Sequence, residues 1–182
     1  GWSIEVVPGL IPASDFFALL SWRRFCSSTW LRSRQMLDYL EEPDMFHDIF
    51  GHVPLLAHPG YADFMQELGK LGVKHQHDPH RLQQLENLYW FTVEFGLLRG
   101  SDGPEIYGAG IASSFGESKL IYTDEVEILD FDLERILDNS FVKSEMQGRY
   151  YALPELDALF GILEEIEQYF SEVPQKEEVW KS

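Results

Sequence analysis

The chain has 182 residues, a formal net charge of −17, 45% hydrophobic residues and one cysteine, Cys26. That is one domain's worth of chain with enough apolar side chains to bury a core. The acidic balance argues against nucleic acid or an anionic membrane as partner, and no apolar run approaches the roughly 18 residues of a spanning helix. A lone cysteine excludes an intrachain disulfide and fits a reducing, cytoplasmic setting.

The first residues, Gly1-Trp2-Ser3-Ile4-Glu5, carry neither a signal core nor a methionine, which suggests a processed or cloned boundary. Glu5 to Pro12 reads as a short strand and a turn punctuated by Pro8-Gly9 and Pro12. Ser14 or Asp15 caps a helix expected to run to about Cys26, with Phe16, Leu19, Leu20 and Arg23 at helical spacing. Trp30 to Arg34 is an irregular connection. Arg32 and Arg34 are rare cations in an acidic chain; each is a surface ion pair or an anchor for a carboxylate, which a guanidinium grips through two bonds.

Residues Glu42 to His52 form the next expected helix, and it contains His47 and His52. A buried imidazole needs a partner, and one metal ion would satisfy both rings. On an ideal α-helix a spacing of five residues turns the rings about 140° apart, so a shared ion requires the helix to end or distort between them. Gly51 and Pro54 offer that point. The alternative is a pair of core histidines bonded to carbonyls or carboxylates.

Pro59-Gly60 opens a helix from Tyr61 to Leu71, with Tyr61, Phe64, Met65 and Leu68 as its apolar stripe and Gly72 as its end. His75 to His80 is read as solvated surface despite its three histidines. A helix from about Pro79 to Phe95 follows, and Glu94 lies near its end among Trp90, Phe91, Val93 and Phe95. A carboxylate in such surroundings requires pairing. It is either the third ligand of a two-histidine, one-carboxylate site, the arrangement of non-haem iron oxygenases, or the partner of Arg99.

Glu105 to Gly110 reads as a strand ending in a glycine turn, and Ser113 to Glu117 opens a further segment with no nucleophile elbow. Val126 to Phe131 is a strand, Asp132 caps a helix to Asn139, and Phe141 to Leu153 holds strand-like pieces. Pro154 starts a last helix with Leu156, Leu159, Phe160, Leu163, Ile166 and Phe170 as its buried stripe, and the charged tail after Pro174 is expected to be loose. There is no internal repeat or interdomain linker. The expected fold is mainly α with small β patches, an α+β class, in one domain over residues 1–182.

Four blocks in this order resemble the pterin-dependent aromatic amino acid hydroxylases, bacterial members above all. They are Pro8-Gly9-Leu10-Ile11-Pro12, Glu42 to Leu55, Tyr89 to Gly96, and Tyr107 to Ser114. The resemblance implies that family's catalytic-domain fold, less a further N-terminal stretch that family domains carry. It implies Fe(2+) at His47, His52 and Glu94 as catalytic ligands, and tetrahydropterin at Gly9, Leu10, Phe16, Asp48 and Tyr89. It places Arg32, Ser113, Trp90 and Glu117 around the amino acid: Arg32 on its carboxylate with Ser113 assisting, Trp90 as a wall, Glu117 in the second sphere. The chain departs from animal members at Leu40-Glu41, where they carry Thr-Pro, and Phe141-Val142-Lys143-Ser144 lacks the acidic residue associated with tyrosine hydroxylases.

The activity so implied is ring hydroxylation of a free aromatic amino acid, with dioxygen as co-substrate and the pterin supplying two electrons. The enzyme is expected to be a cytoplasmic monomer acting on phenylalanine first, then tryptophan, then tyrosine. Two readings compete. One is a zinc hydrolase on the same ligands with Asp48 as base, disfavoured by the lack of H-E-x-x-H spacing. The other is an inactive iron- and pterin-binding fragment.

Overall fold

The computed structural model describes residues 1–38, 40, 42–143 and 145–172. Glu41, Ser144 and the tail after Pro174 thus lie outside the described residues. The N-terminal part pairs two short parallel strands, β1 (Ser3–Val6) and β2 (Arg24–Ser27), around helix α1 (Ala13–Ser21). Helix α1 stops before Cys26, where the sequence reading carried it on. Arg23 adopts φ 55, a left-handed conformation that breaks the helix, and the chain continues into β2 with Phe25 buried and Cys26 beside it.

Helix α2 (Pro59–Lys74) is the centre of the core; Tyr61, Phe64, Met65, Leu68 and Leu71 are buried along it. It runs past Gly72, which was expected to end it. A Cβ at Gly72 would lie 2.2 Å from the Phe17 ring, and one at Gly69 would lie 2.4 Å from the Ser21 nitrogen. Both glycines therefore serve the close approach of α1 to α2, not termination. Helix α3 (Pro79–Tyr89) begins on an Asp78 cap that accepts from the Arg81 N–H, and it contributes Leu85 and Leu88 to the same core.

A four-stranded sheet of order β4-β3-β6-β5 forms the second layer, from β3 (Gly96–Gly100), β4 (Gly103–Ile106), β5 (Glu127–Asp130) and β6 (Arg149–Leu153). β3 and β4 are antiparallel, whereas β6 runs parallel to β3 and β5, with Leu97 opposite Ala152. Strand β6 is buried on both faces, and its side chains alternate between two clusters. Tyr151 and Leu153 join the main helical core, while Tyr150 and Ala152 pack with Phe95, Leu97, Ile111 and Ile121.

Short helices α4 (Ala109–Ala112), α5 (Glu117–Leu120) and α6 (Leu133–Leu137) follow, the last capped by Asp132 as its sequence indicated. Helix α7 (Leu159–Glu172) closes the core through Leu159, Ile162, Ile166 and Phe170. Phe160, counted in its buried stripe from sequence, is 55% exposed. At 3.6 residues per turn Phe160 points about 100° away from the common direction of Leu159, Ile166 and Phe170, so Ile162 takes the buried place instead, and the chain enters α7 through a 3-10 segment, Leu156–Ala158.

Candidate metal centre

The two segments that carry the candidate ligands are both π-helical. His47–His52 forms the first π turn, and Trp90–Glu94 forms the second at the end of α3. Hydrogen bonds from i to i+5 bring residues five apart onto one face. This answers the spacing problem posed by His47 and His52. The distortion extends over six residues and is not confined to Gly51 and Pro54. Asp44 starts the segment: its carboxylate Oδ1 accepts from the His47 N–H at 2.9 Å, and its backbone carbonyl accepts from the Asp48 N–H.

His47 Nε2 and His52 Nε2 lie 3.0 Å apart, and Glu94 places Oε2 3.4 Å from the first and Oε1 3.2 Å from the second. His52 is 1% exposed and Glu94 9%. Burial alone would raise the Glu94 pKa, but the two imidazoles hold it well below the usual carboxylate range. Burial likewise opposes a charge on His47, and Glu94 overcomes this and raises its pKa. Arg99, the other candidate partner of Glu94, pairs instead with Asp130 at 2.6 Å.

These residues fit a divalent cation. They are the only trio of His, Cys, Asp or Glu among the described residues whose donor atoms converge, all within 4.8 Å. Two imidazole nitrogens facing each other either share one proton or oppose their lone pairs, and a cation between them satisfies both lone pairs at once. His47 Nδ1 pairs with Ser113 Oγ at 2.8 Å, which in the ligating tautomer directs the Nε2 lone pair at the centre. Two nitrogens and a carboxylate on one face leave further positions open, a set that suits iron(II).

The centre opens onto a cavity of about 190 Å³. Gly9, Leu10, Phe16, Asp48 and Tyr89, assigned to the pterin by resemblance, all line it, as do Arg32, Trp90 and Ser113. Phe16 meets Tyr89 edge-on at 5.0 Å, and burial together with the neighbouring Glu94 pushes the Tyr89 phenol far up, so it stays protonated. Asp48 is buried, accepts from the Ser28 N–H at 2.7 Å, and is shifted upward by that burial. Glu117 is outside the lining: it is fully buried, and it accepts from the Gln147 N–H at 2.8 Å and from the Tyr150 hydroxyl.

Arg32 is held by a residue that sequence reasoning did not single out. Asp44 takes Nε at 3.0 Å and Nη2 at 2.7 Å in a two-bond fork, and it also takes the Arg32 backbone N–H at 2.7 Å. Nη1 donates to the Ser113 carbonyl. Among the described residues three of the five guanidinium N–H groups find acceptors, which leaves two for a ligand in the cavity. A buried cation in an acidic chain demands such a partner, and an Asp beginning the histidine-bearing helix was the available signal. Phe141 and Lys143, from a stretch the sequence reading expected near the pocket, also line the cavity, and Cys26 does so unanticipated. Cys26 is no nucleophile there, since burial, with Asp48 adding to it, pushes its thiol up to about 12.

Comparison with known proteins agrees with this geometry. The sequence model of the biopterin-dependent aromatic amino acid hydroxylases matches residues 1–180. The phenylalanine-4-hydroxylase of Ralstonia nicotianae is 46% identical over 161 residues, which cover 88% of this chain and 51% of that protein. The chain therefore spans about half the length of that relative. The structure superposes on the Chromobacterium violaceum phenylalanine hydroxylase with bound iron(III) and oxidised cofactor 7,8-dihydrobiopterin at a TM-score of 0.85 and 42% identity, covering 95% of this chain and 64% of that one. The iron- and phenylalanine-bound form of the same enzyme matches at a TM-score of 0.81 and 43% identity, covering 89% and 58%. The α+β fold is that of phenylalanine hydroxylase catalytic domains, and the chain belongs to the biopterin-dependent aromatic amino acid hydroxylase family.

Proposed function

We propose that this chain is the catalytic core of an iron(II)- and tetrahydropterin-dependent monooxygenase that hydroxylates the ring of a free aromatic amino acid, phenylalanine to tyrosine before the others. The observation that carries the reading is the convergence of His47, His52 and Glu94 beside an apolar cavity that also holds a partly unspent guanidinium. The names of the relatives and the iron, pterin and phenylalanine in the solved neighbours support it. With this proposal go residues 1–182 as one catalytic domain and a monomer in the cytoplasm. Among the described residues no helix is long and apolar enough to cross a membrane.

When bound, iron and the reduced pterin supply dioxygen activation and two electrons. The chain's own residues supply position. Arg32 offers its two remaining N–H groups to the amino acid carboxylate, and Asp44 keeps the guanidinium from turning away. Trp90 and Phe141, stacked at 4.3 Å, give the substrate ring an apolar wall. Phe16, with Gly9 and Leu10, offers the pterin a flat aromatic surface, and Asp48 and Tyr89 provide polar edges near the metal. Fixing both organic partners against one centre gains the proximity that a bimolecular encounter lacks, and burial of the ligands keeps water from the reacting atoms.

The test is turnover by the anaerobically iron-loaded chain, given tetrahydropterin, labelled dioxygen and equal phenylalanine, tyrosine and tryptophan. Labelled tyrosine from phenylalanine is expected. A different labelled product would move the substrate, and none with iron bound would sink the proposal. His47→Ala, His52→Ala and Glu94→Ala should each lose stoichiometric iron by metal analysis, and full retention by any one would remove it from the ligand set.

A further inference from the structure

We propose that Gln147 is the positioning residue that fixes the aromatic wall of the substrate cavity and thereby biases the choice among aromatic amino acids; this rests on the function proposed above. Gln147 is 8% exposed and precedes β6. Its backbone N–H donates to Glu117 Oε1 at 2.8 Å, and its side-chain oxygen accepts the Trp90 indole N–H at 3.2 Å. Its amide nitrogen donates to the carbonyls of Val142 at 3.0 Å and Glu145 at 3.1 Å. The side chain thus uses both amide hydrogens and its oxygen: the oxygen ties Trp90 to the segment, and the two hydrogens hold that segment, which carries Phe141 and Lys143, in place.

What that staple holds is the wall itself. Trp90 stacks on Phe141 with the rings 12° from parallel, and both line the cavity. Lys143, on the same pinned segment, places its ammonium 5.5 Å from the Phe141 ring centre and 6.0 Å from that of Trp90. An indole has one N–H, so its rotation about the stacking axis is set by where the acceptor stands. Gln147 is that acceptor. Beneath it, Glu117 is anchored by the Tyr150 hydroxyl of β6, so the wall's position is referred to the sheet and not to the surface loop alone. Without the amide, Trp90 would keep its place in the second π turn and lose its orientation, and the segment would lose both carbonyl ties. The width of the slot for the substrate ring, and with it the preference for a phenyl over an indole ring, would then relax.

The test uses the full chain with iron and tetrahydropterin and compares Gln147→Leu with the wild type, each also in a Trp90→Phe background. In the wild-type background KM for phenylalanine should rise at least about five-fold with kcat changed less than about two-fold, the mark of a lost positioning contact. The ratio of kcat/KM for phenylalanine over tryptophan should fall by at least about three-fold. In the Trp90→Phe background, which has no indole N–H, the same substitution should move KM by less than about two-fold, because the two residues act as a pair. Solvent exchange of the nitrogen-15-labelled Trp90 indole hydrogen, read by NMR without turnover, should quicken at least about ten-fold on losing its buried partner. Gln147→Met, of similar length, carries the same expectations should the leucine variant not fold. An unchanged KM and substrate ratio, an equally large effect without the indole, or unaltered indole exchange would overturn the role of Gln147 while leaving the proposed function standing. A wild-type chain that turns over no aromatic amino acid would overturn the function, and this inference with it.

Discussion

Single side chains here act mostly through one well-placed partner. Ser113 is the case nearest the metal: its Oγ fixes the far nitrogen of His47, and its carbonyl takes an Arg32 N–H. Ser113→Ala removes only the first of these, so it should weaken iron binding by about 10–100-fold, measured by competition with a chelator, while the fold is kept. An unchanged affinity would mean that packing alone orients His47. Glu117 allows a pH experiment away from the metal. Burial raises its carboxyl from the usual 4.5 to about 7, against the pull of the Gln147 N–H. The folded state therefore holds this proton more tightly than the unfolded chain does. The resulting stability is full below pH 4.5 and is lost as pH rises through about 7. Relative to Glu117→Gln, the wild type should lose stability on the order of 3 kcal/mol between pH 4.5 and pH 8, measured by urea unfolding. A difference independent of pH would place the charge elsewhere. The convergence of His47, His52 and Glu94 was legible in the sequence because histidine and glutamate in apolar runs demand partners. Gln147 was not, because a polar residue in a loop gives no sign of which buried group it faces, and Asp44 offered only its place at the start of the histidine-bearing segment, which does not name Arg32 as its partner.

At the scale of elements, both ligand-bearing segments depart from α geometry, and only one departure was foreseen. A five-residue histidine spacing cannot serve one ion on an α-helix, so some distortion followed from the sequence. The second π turn, Trp90–Glu94, carries a single ligand and leaves no such trace, because five residues cannot separate periods of 3.6 and 4.4. Gly72 misled for a related reason: a glycine that ends a helix and one that admits a neighbouring helix look alike until the neighbour is known. Gly51 is of the second kind. It lies inside the first π turn, and a Cβ there would stand 2.9 Å from the Ala109 Cβ and 3.1 Å from its carbonyl oxygen. Backbone on the far side leaves little room to yield. Gly51→Ala should therefore destabilise the fold by about 1–3 kcal/mol, read from urea unfolding, and lower iron occupancy by moving His52 against Glu94. A variant with wild-type stability and full iron would show that the turn slides freely over α4.

For the whole molecule, the cavity has walls drawn from separate stretches between Val7 and Lys143, so residues far apart in the sequence meet at one site while α2, α7 and the four-stranded sheet support it from behind. The class, mainly helical with a small sheet, followed from periodicity, whereas the layering of a mixed sheet between two clusters depended on long-range pairing that periodicity does not carry. This construction couples metal binding to global stability. The ligands come from turns that meet only when the chain is folded, so an ion held by all three binds the native state and not the unfolded one. Such a ligand at about 100 times its Kd adds about 2.7 kcal/mol of stability. For a chain of this size each kcal/mol moves Tm by about 2–4 °C. Anaerobic iron(II) should thus raise Tm by about 5–10 °C over the chelated protein in a calorimetric scan. Glu94→Ala should show almost none of that rise, because two histidines without the carboxylate leave the charge of the ion uncompensated in a buried site. The same rise in wild type and variant would mean that iron binds elsewhere. No rise in the wild type would mean that the converged trio is held by the fold alone and lends the metal no grip on it.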